Sequence, residues 1–121
     1  MFIIDDDAAI RDSCGFLLRS LAIDLAVESF PSAAEFMDYL NTHEVPKTVC
    51  LIVDARMPEM SGVELMQNLI AEGKRFPFIM ISGHGNDSLR QQSRELGAVA
   101  FLDKPFQPSL LKDAIDRAFG M

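Results

Sequence analysis

The chain has no tryptophan, one tyrosine and two cysteines among its 121 residues, and its 11 Lys and Arg are outnumbered by 18 Asp and Glu. Each shortage excludes something. A formal net charge of −7 leaves no basic stripe for a phosphate backbone, so direct nucleic-acid binding is not expected. Docking on an anionic membrane surface is not expected either. The longest apolar runs, Val49 to Val53 and Ala98 to Leu102, are about five residues, against the ~18 that a spanning helix requires. The N-terminus passes straight from Phe2-Ile3-Ile4 into Asp5-Asp6-Asp7, which is not a secretory signal, and a cytoplasmic setting is expected. Cys14 and Cys50 have neither metal-ligand nor CxxC spacing and lie in apolar patterns, so two buried, reduced thiols are expected. What remains, 49% apolar and 24% charged residues, is ordinary globular composition. It is enough for one domain over residues 1–121 and excludes disordered or low-complexity architectures.

Short β-like runs alternate with helical patterns along the chain. Phe2–Ile4 is the first strand. Ile10, Cys14, Leu17, Leu18 and Leu21 then recur on one helical stripe. Leu25 to Phe30 reads as an edge strand, and Ser32 with Glu35 as a capping box opening the next helix. Val49 to Val53 is a continuous, β-branched-rich run, expected of a strand covered on both faces. Ser61 with Glu64 is a second capping box, and Gly73 is placed to stop its helix. Phe78 to Ile81 is the fourth strand, Asn86 caps a helix that Gly97 ends, and Val99 to Leu102 is the fifth strand. Pro108 suits the first position of the last helix. Repeated βα units predict an α/β fold, a doubly wound parallel sheet with helices on both faces. One helix is unusual. From Asn86 to Leu96 only Leu89 and Leu96 are large and apolar, while Asp87, Arg90, Arg94 and Glu95 are charged. That predicts a thinly anchored, largely solvated element.

In open α/β sheets ligands bind outside the carboxyl ends of the strands, and those ends carry a consistent chemistry here. They bring Asp5-Asp6-Asp7, Asp54, Ser82-Gly83 and Asp103-Lys104-Pro105 toward one edge. Converging carboxylates repel one another unless a cation lies between them, and an incomplete all-oxygen cage suits Mg²⁺. A lysine and a hydroxyl beside it are what a phosphoryl group needs on its remaining oxygens. Asp54, ending the central and most apolar strand, is the best-placed carboxylate nucleophile, able to form an aspartyl phosphate. Asp7 is expected to serve its own helix as an N-terminal acid.

These residues resemble the receiver domain of two-component response regulators. The resemblance rests on Ile3 to Asp7, Asp54-Ala55-Arg56-Met57-Pro58-Glu59-Met60-Ser61-Gly62, Ile81-Ser82-Gly83-His84-Gly85 and Phe101-Leu102-Asp103-Lys104-Pro105-Phe106, in the family's order and spacing. It implies a five-stranded (βα)5 flavodoxin-like sheet of order 2-1-3-4-5. It also implies that Asp54 accepts a phosphoryl group from a sensor histidine kinase, with Mg²⁺ (or Mn²⁺) held by Asp5, Asp6, Asp54 and the Arg56 backbone carbonyl. By the same resemblance Ser82 and Lys104 contact the phosphoryl oxygens and the Lys104–Pro105 bond is cis. Phe101 is then the switch aromatic, and Arg56 and His84 tune dephosphorylation. The helix after Ser82, the Phe101 strand and the last helix form the face that supports phosphorylation-linked homodimerisation or output control. The wording is closest to receivers fused to helix-turn-helix output domains, so a receiver from a transcription regulator, without its output domain in these residues, is expected.

Three alternatives meet the same residues. A haloacid-dehalogenase-like phosphatase would use Asp5 as nucleophile and Asp7 as acid/base, but it leaves Asp54 idle. A flavodoxin-like FMN carrier would need a Ser/Thr/Gly-rich loop where Asp5-Asp6-Asp7 stands. A degenerate receiver would use the same face for partners without phosphorylation.

Overall fold

The computed structural model describes residues 1–20, 26–46, 49–83 and 85–120. Ten elements alternate: β1 (Phe2–Ile4), α1 (Ala8–Ser20), β2 (Glu28–Phe30), α2 (Ala33–Thr42), β3 (Leu51–Asp54), α3 (Gly62–Ala71), β4 (Phe78–Ser82), α4 (Asp87–Glu95), β5 (Ala100–Asp103) and α5 (Pro108–Ala118). The strands form one parallel sheet of order β2-β1-β3-β4-β5. This is the doubly wound arrangement that the sequence predicts.

Strand alternation divides the core in two. Phe2, Ile4, Leu51, Val53, Phe78 and Met80 face α2 and α3, where they meet Phe36, Leu65, Met66 and Leu69. Ile3, Ile52, Ile79 and Ile81 face α1 and α5, where they meet Cys14, Leu18, Leu111 and Ile115. The three inner strands are apolar on both faces because both faces are covered. At the β2 edge Phe30 packs edge-to-face on Phe2 and Phe36, which are tilted on each other, at centroid distances of 5.2–5.9 Å. Tyr39 joins them 5.1 Å from Phe30 and lies flat on His43 at 4.1 Å. Cys14 and Cys50 are free and buried, and burial first of all pushes their thiols up to about 11 and about 12. They stay protonated and unreactive.

Element boundaries differ from the sequence reading in instructive ways. β2 pairs only over Glu28–Phe30, because Glu28 and Ser29 are exposed on an edge where only Phe30 is buried; Leu21 and Leu25 lie outside the described residues. Asp54, Ser82 and Asp103 are the last residues of their strands rather than the first of their loops, paired as Asp54↔Ile81 and Ser82↔Asp103. Ladder hydrogen bonding continues until the carboxyl edge is reached and is indifferent to side-chain polarity. The Ser32 box is half made: its hydroxyl accepts from Glu35 N at 3.1 Å, but no return bond from Glu35 is among the described contacts. The Ser61–Glu64 box is complete.

Both α3 and α4 close on a left-handed glycine. Gly73 has φ 78° and Gly97 φ 92°, and each is followed by the paired carbonyl-satisfying bonds of a Schellman turn (Gly73 N→Ile70 O and Lys74 N→Leu69 O; Gly97 N→Arg94 O and Ala98 N→Ser93 O). Because α3 starts at the site, its cap is functionally placed. Ser61→Ala removes the bond to Glu64 N, and the expected result is a loss of about 1 kcal/mol in urea unfolding. An unchanged midpoint would show that the packing of Leu65 and Leu69 alone sets this helix start.

Candidate functional site

The carboxyl edge of β1, β3, β4 and β5 gathers the residues singled out from the sequence. Oxygens of Asp5, Asp6 and Asp54 all lie within 4.8 Å of one another. Asp5 and Asp54 are buried and Asp6 is exposed, so the cluster opens to solvent on one side. Lys104 enters from the end of β5, its Nζ 2.8 Å from Asp5 Oδ2 and 3.4 Å from Asp54 Oδ2. Ser82, fully buried, ends the strand between them, and its carbonyl accepts from Lys104 N at 2.8 Å. The Lys104–Pro105 peptide bond is cis.

Local backbone bonds hold the carboxylates. Asp5 Oδ1 accepts from Asp7 N at 2.9 Å, and Asp54 Oδ1 accepts from Arg56 N at 3.2 Å. Ala55 N donates to Ile81 O at 2.8 Å, which ties the segment after Asp54 to β4. The opposite oxygen of Asp5 is buried and charge-paired with Lys104, but the ammonium approaches off the hydrogen-bond direction and the oxygen accepts no well-formed bond. Two buried carboxylates thus share one ammonium, with the exposed Asp6 carboxylate beside them. Burial, the largest influence, raises the Asp54 carboxyl to about 6; the Arg56 N–H opposes it, the Asp5 charge adds to it and Lys104 opposes it. Burial also works against the Lys104 ammonium, but Asp5 and Asp54 together outweigh it and its pKa is raised.

The remaining residues named from the sequence have varied surroundings. Asp7 is exposed and turned to its own helix, where Oδ1 accepts from Ala9 N at 2.9 Å. That bond is the N-terminal helix role expected of it. Arg56 is exposed, and Phe101 is half-buried on β5. The predicted tuning residue His84 lies outside the described residues. Two supports were not legible in the sequence. Arg11 Nη1 donates to the Asp5 carbonyl at 2.7 Å, a contact made across a helix start that no spacing rule announces. Gly62 packs directly on the Asp54 backbone; a glycine at the first helical turn just after a capping serine was the available signal.

A doubly wound parallel sheet of order 2-1-3-4-5 defines the flavodoxin-like class of α/β domains, and here its carboxyl edge carries an acidic cluster and a lysine. Within that class, residues 1–116 match the response regulator receiver domain, and the chain belongs to that family. The transcriptional regulatory protein FixJ of Bradyrhizobium diazoefficiens is 38% identical over 118 residues, which cover 98% of this chain and 55% of that protein. The response regulator protein TodT of Pseudomonas putida is 41% identical over 121 residues, covering 100% of this chain and 51% of that protein. A crystal structure of FixJ-N superposes with a TM-score of 0.85 at 35% identity, covering 98% of this chain and 91% of the other. The chain spans about half the length of the curated relatives it matches. It is a receiver domain of the two-component response regulators, a regulatory phosphoacceptor family. This membership replaces the phosphatase and flavin-carrier alternatives. No described helix is long and apolar enough to cross a membrane.

Proposed function

We propose that Asp54 is the phosphoacceptor. The observation that carries this is its place at the buried end of the central strand, within 4.8 Å of Asp5 and Asp6 and with Lys104 Nζ 3.4 Å from its Oδ2. An Asp54 carboxylate oxygen attacks the phosphorus of a kinase phosphohistidine. The N–P bond breaks, the imidazole keeps the bonding pair and takes up a proton, and an acyl phosphate O–P bond forms. Lys104 and the Ser82 hydroxyl bind the phosphoryl oxygens. Water later attacks the phosphorus, releasing phosphate and the Asp54 carboxylate, and Arg56 and His84 tune that step. The domain promotes these reactions on itself alone.

The donor set fits a hard divalent cation. It is all oxygen, it is gathered on one side of the cleft, and it is short of positive charge, with a buried Asp5 oxygen that no well-formed hydrogen bond satisfies. Asp5, Asp6, Asp54 and the Arg56 carbonyl would hold Mg²⁺, or Mn²⁺, which when bound neutralises charge on the phosphoryl oxygens. Phosphorylation is read out through Phe101 on the α4–β5–α5 face, which controls homodimerisation or an output domain of a cytoplasmic transcription regulator. The added charge of roughly −2 is the local event that biases this face.

Intact-mass spectrometry after incubation with acetyl phosphate tests the assignment. The expected result is one added phosphoryl group on the wild type, dependent on Mg²⁺, and none on Asp54→Asn. An adduct that persists in the variant would move the acceptor to Asp5. No adduct and no beryllofluoride binding on the wild type would leave a phosphorylation-independent interaction module.

A further inference from the structure

Phe101, the switch aromatic of the proposed function, is bordered by two segments of the chain, α4 and the backbone after β4. The Arg90 guanidinium of α4 lies over its ring, with Cζ 4.9 Å from the centroid, within the range of a cation–π contact. The same guanidinium is ion-paired through Nη2 to Asp103 Oδ2. Phe101 and Asp103 are two residues apart on β5 and so share a face of the strand, which lets one arginine span both. Gly85, just after β4, also borders the ring. A Cβ built there would come within 2.8 Å of the Phe101 ring and 2.8 Å of Asp103 Oδ1, so the backbone after β4 is already in close contact with both partners of Arg90.

The rest of α4 does little to hold this place. Among its residues Ser93 alone is fully buried, and its hydroxyl has no hydrogen-bond partner. A groove of about 360 Å³ runs between α4 and β5, bordered by Arg90, Ser93, Arg94, Ala98, Ala100 and Phe101. With few apolar anchors on α4 and a groove between it and β5, the Arg90 contacts are the principal described polar tie between the two.

We infer that Arg90 is a positioning residue that clamps Phe101 in its resting place through Asp103, and so sets how readily the phosphoacceptor switch turns over to its active state. This rests on the reading of Phe101 as the switch aromatic. The geometry supplies the coupling. Gly85 lies three residues beyond Ser82, so a shift of the end of β4 toward a phosphoryl group on Asp54 draws Gly85 away from the ring. The Arg90–Asp103 pair, together with the ring's packing on the core, then resists its departure. Because the site needs a ligand to complete it, loosening the clamp raises the share of the competent state and with it the apparent affinity for that ligand.

The test uses 4-fluorophenylalanine at position 101 and fluorine NMR, with beryllofluoride and Mg²⁺ as the phosphoryl mimic. In metal-free protein, Arg90→Ala is expected to move the resonance part of the way toward its position in mimic-bound wild type. The beryllofluoride concentration for half-saturation is expected to fall roughly three- to ten-fold, in keeping with the loss of one exposed ion pair and one cation–π contact. Asp103→Asn, which leaves the helix untouched, should shift both readouts the same way, and combining it with Arg90→Ala should add little. Arg90→Lys, which keeps the charge but not the planar stack, should fall between. An unchanged metal-free resonance or an unchanged half-saturation in Arg90→Ala overturns the clamp. Failure of the wild type to bind beryllofluoride at all overturns the phosphoacceptor reading instead, and the metal-free spectra still decide whether Arg90 holds the ring.

Discussion

Replacing Gly62 by alanine is expected to cost the domain about 3 kcal/mol of stability or more, a large effect for the addition of one methyl group. A Cβ at this position would lie 2.2 Å from the Asp54 carbonyl oxygen, 2.9 Å from its carbonyl carbon and 2.8 Å from Val53 Cγ1. Two of these are backbone atoms of the central strand, so no side chain can swing aside to relieve the clash. The first turn of α3 must lift off β3, which also stretches the Gly62 N→Ala55 O bond of 3.2 Å. Because the crowded carbonyl belongs to Asp54, the displacement reaches the acceptor itself, and phosphorylation by acetyl phosphate is expected to slow together with the loss of stability. Urea unfolding measures the first effect. A variant within about 1 kcal/mol of wild type would mean that α3 is not seated on the strand as closely as these distances describe.

Asp54→Asn is expected to do the opposite and stabilise the metal-free domain at pH 7.5, by up to about 3 kcal/mol. Its carboxyl is raised from an ordinary value of 3.8 to about 6, chiefly by burial, and every tenfold change in an acid's dissociation constant corresponds to about 1.4 kcal/mol between its protonation states. Folding favours the neutral form of a carboxyl whose pKa it raises. The contribution of Asp54 is therefore fully present below about 3.8 and is lost as the pH rises through about 6. Above that, wild type carries an ionised Asp54 that burial disfavours, and the asparagine variant does not. The gap between the two should close as the pH is lowered from about 7 to about 4. It should also narrow at pH 7.5 on adding Mg²⁺, which binds the folded wild type preferentially. If the variant is instead less stable than wild type at pH 7.5, the Lys104–Asp54 pair is a structural ion pair and the cluster is not strained.

Much of this was legible in the sequence because the fold repeats one βα unit and sets the residue after each apolar run at a common edge. Asp5, Asp6, Asp54, Ser82 and Lys104 could be assembled from the sequence alone, since parallel strands all end on the same side. What escaped was three-dimensional proximity between residues with no shared period. Arg11 reaches back from the first turns of α1 to the carbonyl of Asp5, and as a helix-surface residue it gives no hint of that. Arg90 looked like one more solvated charge on a poorly anchored helix, until β5 brought Phe101 and Asp103 beneath it. The half-formed box at Ser32 shows the converse limit: the residue pair was correct, but whether the Glu35 side chain folds back or stays in water is not encoded in the spacing.

The aromatic group at the β2 edge has a practical consequence. Tyr39 is the chain's one tyrosine and there is no tryptophan, so nearly all intrinsic near-ultraviolet emission originates on α2. There it is packed among Phe2, Phe30 and His43. Three strands, β1, β3 and β4, separate that edge from β5 and the Arg90 clamp. Unlabelled emission therefore reports melting of the β2 flank and is poorly placed to see activation. A fluorescence trace that stays flat when beryllofluoride is added is a matter of where the fluorophore sits, and it leaves the other end of the sheet free to have moved.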